Sequence, residues 1–386
     1  MSTRLGIIGG GQLGLYLCKA AQALGVHVSV ITDAADDAAL RYADRAIVAE
    51  LGSEAAIAQL LDGCDVITFD KEAIPNETLG WLIEARAQGR VAIHPGADTL
   101  LMLKDKALQK TWLQQQNLPT LPFHILSGRA SSLESLVATL GESVVQKTRC
   151  GGYDGRGVQI LRSLVSEQQL WDVPSIVEPF LPDCAEIAVI TVRDQSGQLQ
   201  TYPPVSMQFD AELNSVKTVA MPAAISPGIR AGAIALAERV VTALDGVGVF
   251  AVEMFVTPGE ELLINEISPR VHNSGHVTLD ACNVSQFEQH VRAVTGLPLV
   301  AITQESPAVM LNILYSESLR AQCPAAPVVD RVSHPGAALY WYGKAPGTIG
   351  RKMGHINALG ASESAAQALA ARALEKLPVA DSEQAA

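Results

Sequence analysis

An α/β chain of more than one unit is predicted from three features: strand–helix alternation up to about residue 93, closely spaced strands after 118, and a length of 386 residues. At ~100–200 residues per domain, that length divides into two to four units. Residues 4–11 give an apolar strand running into a glycine turn, and Leu13, Leu17, Ala20, Ala21 and Leu24 then recur at helical spacing. Strands over 26–32, 66–69 and 91–93, with a helical stretch ending near 61, continue the alternation, which implies a parallel, doubly wound sheet. A helix over about 104–116 leads to the Pro-rich turn 118–122, and a first boundary falls near residue 100. From 123 to about 185 short glycine-rich loops separate the strands, as in an antiparallel flap. A helix over 230–244 precedes a hairpin of strands 249–256 and 262–267, and a helix near 285–295 ends at Gly-Leu-Pro298. Short strands around 309–314, 337–342 and 354–358 and an Ala-rich helix over 362–376, stopped by Pro378, form a third unit. The whole reads as α+β, with no internal repeat.

Composition bounds the function. With 28 Lys+Arg against 40 Asp+Glu, a net charge of -12 argues against nucleic acid as the main ligand, since phosphate contacts need cationic surface. A small anion in a local basic pocket remains open. Six scattered cysteines contain no C-x-x-C pair, which fits neither a zinc site nor a disulfide framework and points to the cytoplasm. Residues 1–10 run straight into the first strand, leaving no room for a signal peptide, and no apolar stretch approaches the ~20 residues of a membrane helix.

Three motifs carry chemistry. Gly9, Gly11 and Gly14 form G-x-G-x-x-G between a strand and a helix, with Asp33 at the end of the next strand, which alone reads as a dinucleotide fingerprint. The physics supports a broader statement: N–H groups at a helix N-terminus suit any phosphate, a sugar phosphate included. The second motif lies between a strand ending at Lys147 and another at 158–161, where four glycines in seven residues, 151–157, form a strand–loop–strand lid over phosphates rather than a Walker A turn. Lys147 and Arg156 supply its positive charge. In the third, Glu253 and Glu266 sit among apolar strand residues, an expensive place for carboxylates. With 258–261 as a four-residue loop, Val256 opposes Leu263 and Glu253 opposes Glu266, their Cβ atoms ~4.5–5.5 Å apart. Beside Asn265, that pair suits Mg²⁺, which takes one or two carboxylates plus phosphate oxygens. A zinc reading of His272 and His276 is weak, because the pair lacks the glutamate of H-E-x-x-H.

The runs Gly-Gly-Gly-Gln-Leu-Gly at 9–14, Gly-Gly-Tyr-Asp-Gly-Arg-Gly at 151–157, Asn-Glu-Ile-Ser-Pro-Arg at 265–270, Val-His-Asn-Ser-Gly-His at 271–276 and Ser-Gln-Phe-Glu at 285–288 resemble, in that order, the 5-(carboxyamino)imidazole ribonucleotide synthetases. The resemblance spans residue 4 to about 360 and implies an ATP-grasp architecture: an N-terminal doubly wound domain (1–100), an ATP-grasp domain (101–298, lid about 123–185) and a small C-terminal domain (299–386). It implies ATP with Mg²⁺, or Mn²⁺ in its place, and bicarbonate carboxylating 5-aminoimidazole ribonucleotide, in a cytoplasmic homodimer that binds neither nucleic acid nor membrane. ATP would be held by Lys106, Lys147, the loop Gly152, Tyr153, Asp154, Gly155, Arg156 and Gly157, the strand Glu178, Pro179, Phe180 and Leu181, Glu186, Asn265 and Glu266. Glu253 and Glu266 would hold the metal. Arg270, His272 and Asn273 would hold bicarbonate, with Lys147 completing the catalytic set. Gln12, Glu72, Tyr153, Arg270, Asn273 and Ser274 would line the ribonucleotide pocket, with Lys344 and Arg351 on its phosphate. Leu15, Asp70 and Lys106 stand where the family commonly has arginine, glutamate and arginine. A nucleotide-dependent oxidoreductase and a non-catalytic nucleotide sensor are the alternatives.

Overall fold

The computed structural model describes residues 3–128, 133–152, 157–210, 213–316, 319, 331–344 and 349–375. Strands β1 (Arg4–Ile8), β2 (His27–Thr32), β3 (Arg45–Val48), β4 (Val66–Phe69) and β5 (Ala92–Ile93) form a parallel sheet in the order β3-β2-β1-β4-β5. The chain leaves β1 toward β2 and later returns to its other side with β4, so the loops after β1 and β4 flank the crevice where ligands bind in such sheets. The edge strand β3 escapes sequence reading, because three of its four residues are exposed and its Arg-Ala-Ile-Val run shows no alternation.

Helix Ala97–Leu103 and helix Lys106–Gln115 replace the single helix expected over 104–116. Asp105 makes the break: its carboxylate accepts from the N–H of Ala107 (2.9 Å) and Leu108 (3.3 Å), starting a new helix rather than continuing the old one. The flap is an antiparallel sheet of β6 (His124–Leu126), β7 (Val144–Thr148), β8 (Val158–Leu161) and β9 (Ser175–Pro179), in the order β6-β9-β7-β8. Helix Leu133–Leu140, absent from the sequence reading, covers it through Leu136 and Leu140, packed with Val144 and Val177.

A large antiparallel sheet carries the rest. Its strands β10 (Ala185–Arg193), β11 (Leu199–Thr201), β12 (Val205–Phe209), β13 (Val216–Met221), β14 (Gly248–Val256), β15 (Leu262–Ser268), β16 (Ala308–Leu314), β17 (Arg331–His334), β18 (Ala337–Trp341) and β19 (Lys352–Leu359) run β15-β14-β10-β12-β13-β16-β19-β18-β17, with β11 beside β10. The strands beyond residue 298 thus extend the same sheet, β16 pairing with β13 through Thr218↔Leu311. Helix Pro227–Leu244 covers the β14–β15 end with Leu236, Val240 and Val241. Helix Glu363–Glu375 covers the β16–β19 end with Ala370 and Ala373. Among the described residues, no helix is long and apolar enough to cross a membrane.

The β14–β15 hairpin corrects one register. Val256 pairs with Leu262 rather than Leu263, yet Glu253 does oppose Glu266. A bulge reconciles the two: β15 inserts Asn265 between Ile264, opposite Met254, and Glu266. In an unbroken ladder Asn265 would face Glu253, and Glu266 would point to the other side of the sheet.

Candidate active site

Two clefts, with room of about 290 and 470 Å³, meet on one wall that includes Glu266, Arg270, His272 and Asn273. The first opens between the flap and the large sheet. Lys147, Glu178, Phe180 and Leu181 line it from the flap, with Pro179 and Gly152, while Glu186, Glu253 and Asn265 face them from the sheet. The second opens toward the first sheet, where Gln12, Asp70 and Glu72 line it. Tyr153, Asp154, Gly155 and Arg156 lie outside the described residues; Gly157, next in the chain, is in a left-handed conformation (φ +73°) that strains any other residue.

The carboxylate pair sets the electrostatics. Burial, then the facing Glu266 and Glu186, push Glu253 up to about 8. Burial also works against Glu266, but Lys106, with Nζ 2.6 Å from Oε1, outweighs it and leaves Glu266 below its ordinary value. Lys106 itself is held above its usual value despite burial, by Glu266, Glu72 and Glu253. No group of three or more His, Cys, Asp or Glu is gathered for a metal among the described residues. Two facing acids with open cleft beside them fit the remaining mode, in which ligand phosphates complete the shell of a hard cation. A proton or a cation relieves the same repulsion on Glu253.

Arg270 and His272 follow β15 directly. Arg270 Nε lies 3.1 Å from Glu72 Oε1, bridging the large sheet to the first. His272 is gripped through its backbone by Gln286, whose Oε1 accepts from His272 N (3.0 Å) while Nε2 donates to His272 O (2.6 Å). Its Nδ1 receives Ser274 N (3.3 Å) and contacts Ser274 Oγ (2.9 Å), which leaves Nε2 to carry the ring proton toward Glu253 Oε1, 3.4 Å away. Asn273 exchanges amide hydrogen bonds of 3.0 and 2.8 Å with Asn312, a polar residue in the otherwise apolar β16. His276 is fully buried in a ring cluster, 4.8 Å from the ring of His355.

The first glycine turn differs from a dinucleotide site. Asp70, at the end of β4, places Oδ2 on the N–H of Gly11 (2.8 Å) and Gly14 (3.1 Å), so an internal carboxylate takes the helix N-terminus that a diphosphate would need. A Cβ on Gly9 (φ +110°) would sit 1.5 Å from Asp70 Oδ1. Burial raises Asp70 to about 6. NADH should therefore show no fluorescence change with this protein even at millimolar concentration; saturable enhancement would reinstate the oxidoreductase reading.

Sequence reasoning placed Lys106 at the site but missed Gln109 and Lys110 on the same helix. Helix Lys106–Gln115 turns Lys106, Gln109 and Lys110 inward, at i, i+3 and i+4. Gln109 clamps Ile267, accepting from its N–H (2.9 Å) and donating to its carbonyl (3.1 Å). Lys110 Nζ lies 2.5 Å from Glu178 Oε1, and Lys147 Nζ lies 2.7 Å from Glu178 Oε2 and 2.8 Å from Asn265 Oδ1. The helical spacing was the available signal. Lys344 donates to Gln12 Oε1 at 2.5 Å, joining the stretch after β18 to the first helix, Gln12–Ala23. Arg351 is not among the residues lining either cleft, whereas its neighbour Lys352 lines both.

Three family models match in succession: a ribonucleotide synthetase preATP-grasp domain over residues 1–104, an ATP-grasp domain over 111–287 and a phosphoribosylaminoimidazole carboxylase C-terminal domain over 308–369. The chain is 40% identical over 365 residues to the N5-carboxyaminoimidazole ribonucleotide synthase of Synechococcus elongatus, covering 91% of this chain and 88% of that one. The enzyme of the same name from Bacillus subtilis is 35% identical over 356 residues, 91% of this chain and 90% of its own. Among solved structures, the Aspergillus clavatus N5-carboxyaminoimidazole synthase in complex with ADP and 5-aminoimidazole ribonucleotide superposes with a TM-score of 0.85 at 28% identity, covering 97% of this chain and 98% of that one.

Proposed function

This chain belongs to the N5-carboxyaminoimidazole ribonucleotide synthase family of the ATP-grasp fold, and we propose that its two joined clefts hold ATP on one side and the ribonucleotide on the other. It is an ATP-dependent carbon–nitrogen ligase of purine biosynthesis. Bicarbonate, ATP and 5-aminoimidazole ribonucleotide give N5-carboxyaminoimidazole ribonucleotide, ADP and phosphate. The shared wall is the observation that carries the residue-level reading: a group activated in one cleft need not leave the protein to meet the amine in the other.

Bicarbonate is a poor electrophile, and phosphorylation to carboxyphosphate makes its carbon open to the amine, with phosphate as leaving group. In this reading Lys147 and Lys106 meet the charge on the transferring phosphoryl group, and Glu253 and Glu266 hold Mg²⁺ or Mn²⁺. When bound, such an ion neutralises phosphate oxygens. Glu178 and the strand to Leu181 face adenine, and Glu186, which burial raises above its ordinary value, faces ribose. Arg270, kept in place by Glu72, grips bicarbonate, with His272 and Asn273 closing the pocket against water. Gln12, Glu72, Ser274 and Tyr153 belong to the ribonucleotide side, and Lys344 and Arg351 to its phosphate. The division at about residues 100 and 298, the homodimer and the cytoplasmic location belong to the same proposal. Cys18, Cys64, Cys150, Cys184 and Cys282, all free thiols, support the last.

The test is ADP release that requires both 5-aminoimidazole ribonucleotide and bicarbonate; equal turnover with glycinamide ribonucleotide and formate would replace the reading. Lys344→Ala and Arg351→Ala should each raise KM for the ribonucleotide roughly tenfold or more, the scale of a lost charged contact, and leave KM for ATP nearly unchanged. Equal effects on both substrates would misplace the phosphate site. A silent Arg351→Ala beside a damaged Lys352→Ala would assign that contact to Lys352.

A further inference from the structure

Glu178 is 1% exposed and carries two lysines, one on each oxygen. They differ in freedom. Lys147 is at the cleft surface, 12% exposed, and already shares its ammonium with Asn265. Lys110 is 3% exposed and tied down behind Glu178, donating to Thr120 Oγ1 at 2.8 Å and to the Ile264 carbonyl at 3.4 Å. Only Lys147 can turn toward a ligand in the cleft. If it does, and nothing else holds Glu178, a buried anion is stranded beside an anionic nucleotide, which is among the costliest arrangements in a protein interior.

We propose that Lys110 is a positioning residue for nucleotide binding: the standing counter-ion of Glu178 that frees Lys147 to serve the phosphates. The proposal rests on the reading of Lys147 as a phosphate lysine. Both sides of the pair are tuned for permanence. Burial disfavours the charge on Glu178, yet Lys147 and Lys110 together hold it down to about 2, while Lys110, lowered by burial to about 8, keeps its proton at neutral pH because Glu178 faces it. Lys110 reaches no phosphate itself. Its contribution is to make the hand-over of Lys147 electrostatically neutral.

Four variants of the full chain, Lys110→Met, Glu178→Gln, Lys110→Met/Glu178→Gln and Lys147→Met, are titrated with ATP and with 5-aminoimidazole ribonucleotide, with urea unfolding recorded for each. Lys110→Met is expected to weaken ATP binding roughly 30-fold or more, the scale of a broken buried charge pair, while KM for the ribonucleotide changes less than about twofold. The double variant should bind ATP as Glu178→Gln alone does, because a neutral amide in place of the Glu178 carboxylate needs no counter-ion. In a merely structural pair, loss and recovery of ATP binding would track loss and recovery of stability in urea; here ATP affinity is expected to fall by more than the unfolding midpoint accounts for. Should Lys110→Met fail to fold, the double variant, which strands no charge, carries the comparison with Glu178→Gln. Unchanged ATP affinity in Lys110→Met, or a double variant whose loss is the product of the single losses, overturns the proposal. Wild-type ATP affinity in Lys147→Met would instead overturn the phosphate-lysine reading beneath it.

Discussion

Glu266→Gln should lower kcat by about a thousandfold, the upper range for removing one positioned charge from a reacting centre, while the protein stays folded. The bulge at Asn265 exists in effect to bring this side chain opposite Glu253, and the substitution keeps its shape while deleting the negative charge that Lys106 holds on the pair. Two changes in the fold oppose each other. Lys106 loses its partner at 2.6 Å, and Glu253 loses the like charge that helps hold it at about 8. Their opposition keeps the net effect on stability small beside the catalytic loss. The requirement for divalent cation should shift upward in the variant, since one carboxylate in place of two binds a hard ion more weakly. Full activity at the wild-type Mg²⁺ concentration would remove both carboxylates from the metal assignment.

What could be read in advance tracks how local each feature is. Glu253 and Glu266 stood out because carboxylates in apolar strands need an explanation, and a hairpin joins them within fourteen residues of chain. The register within that hairpin was harder, because a bulge is set by packing on both faces rather than by loop length. Lys110 carried only its helical spacing from Lys106 as a signal, because a lysine on a helix is usually solvated and its partner Glu178 lies 68 residues away on β9. Asp70 needed the same knowledge, since its claim on Gly11 and Gly14 depends on β1 and β4 lying side by side. Asn312 carried a faint signal as a lone amide in an apolar strand, but only the pairing of β13 with β16 brings it to Asn273. Non-local strand pairing also hid the continuity of the large sheet across residue 298.

Acid should destabilise this protein well before its ordinary carboxylates titrate. Burial, assisted by His94, lowers His290 to about 3; burial alone lowers His355 to about 3; burial and Arg86 lower His94 to about 4. Burial, then His355, drives His276 well below its usual value. In the unfolded chain these rings titrate near ~6.5. Between that pH and about 4 the unfolded state binds protons that the fold refuses, so stability falls as pH drops through 6.5. Each ring contributes up to about 1.4 kcal/mol per pH unit. Glu253, raised to about 8, and Asp70, raised to about 6, act in the opposite sense, since the fold protonates them while the unfolded chain does not. Four rings against two acids leave a net uptake of about two protons on unfolding at pH 5.5, and a loss of roughly 5 kcal/mol between pH 7.5 and 4.5. That is comparable to the whole stability of an ordinary domain, ~5–15 kcal/mol. Urea unfolding across this range, without divalent cation, measures the slope directly. A flat profile would mean that these rings are solvated or already charged in the fold, and His355→Asn, in which one proton-refusing ring is gone, should shallow the slope by about one proton.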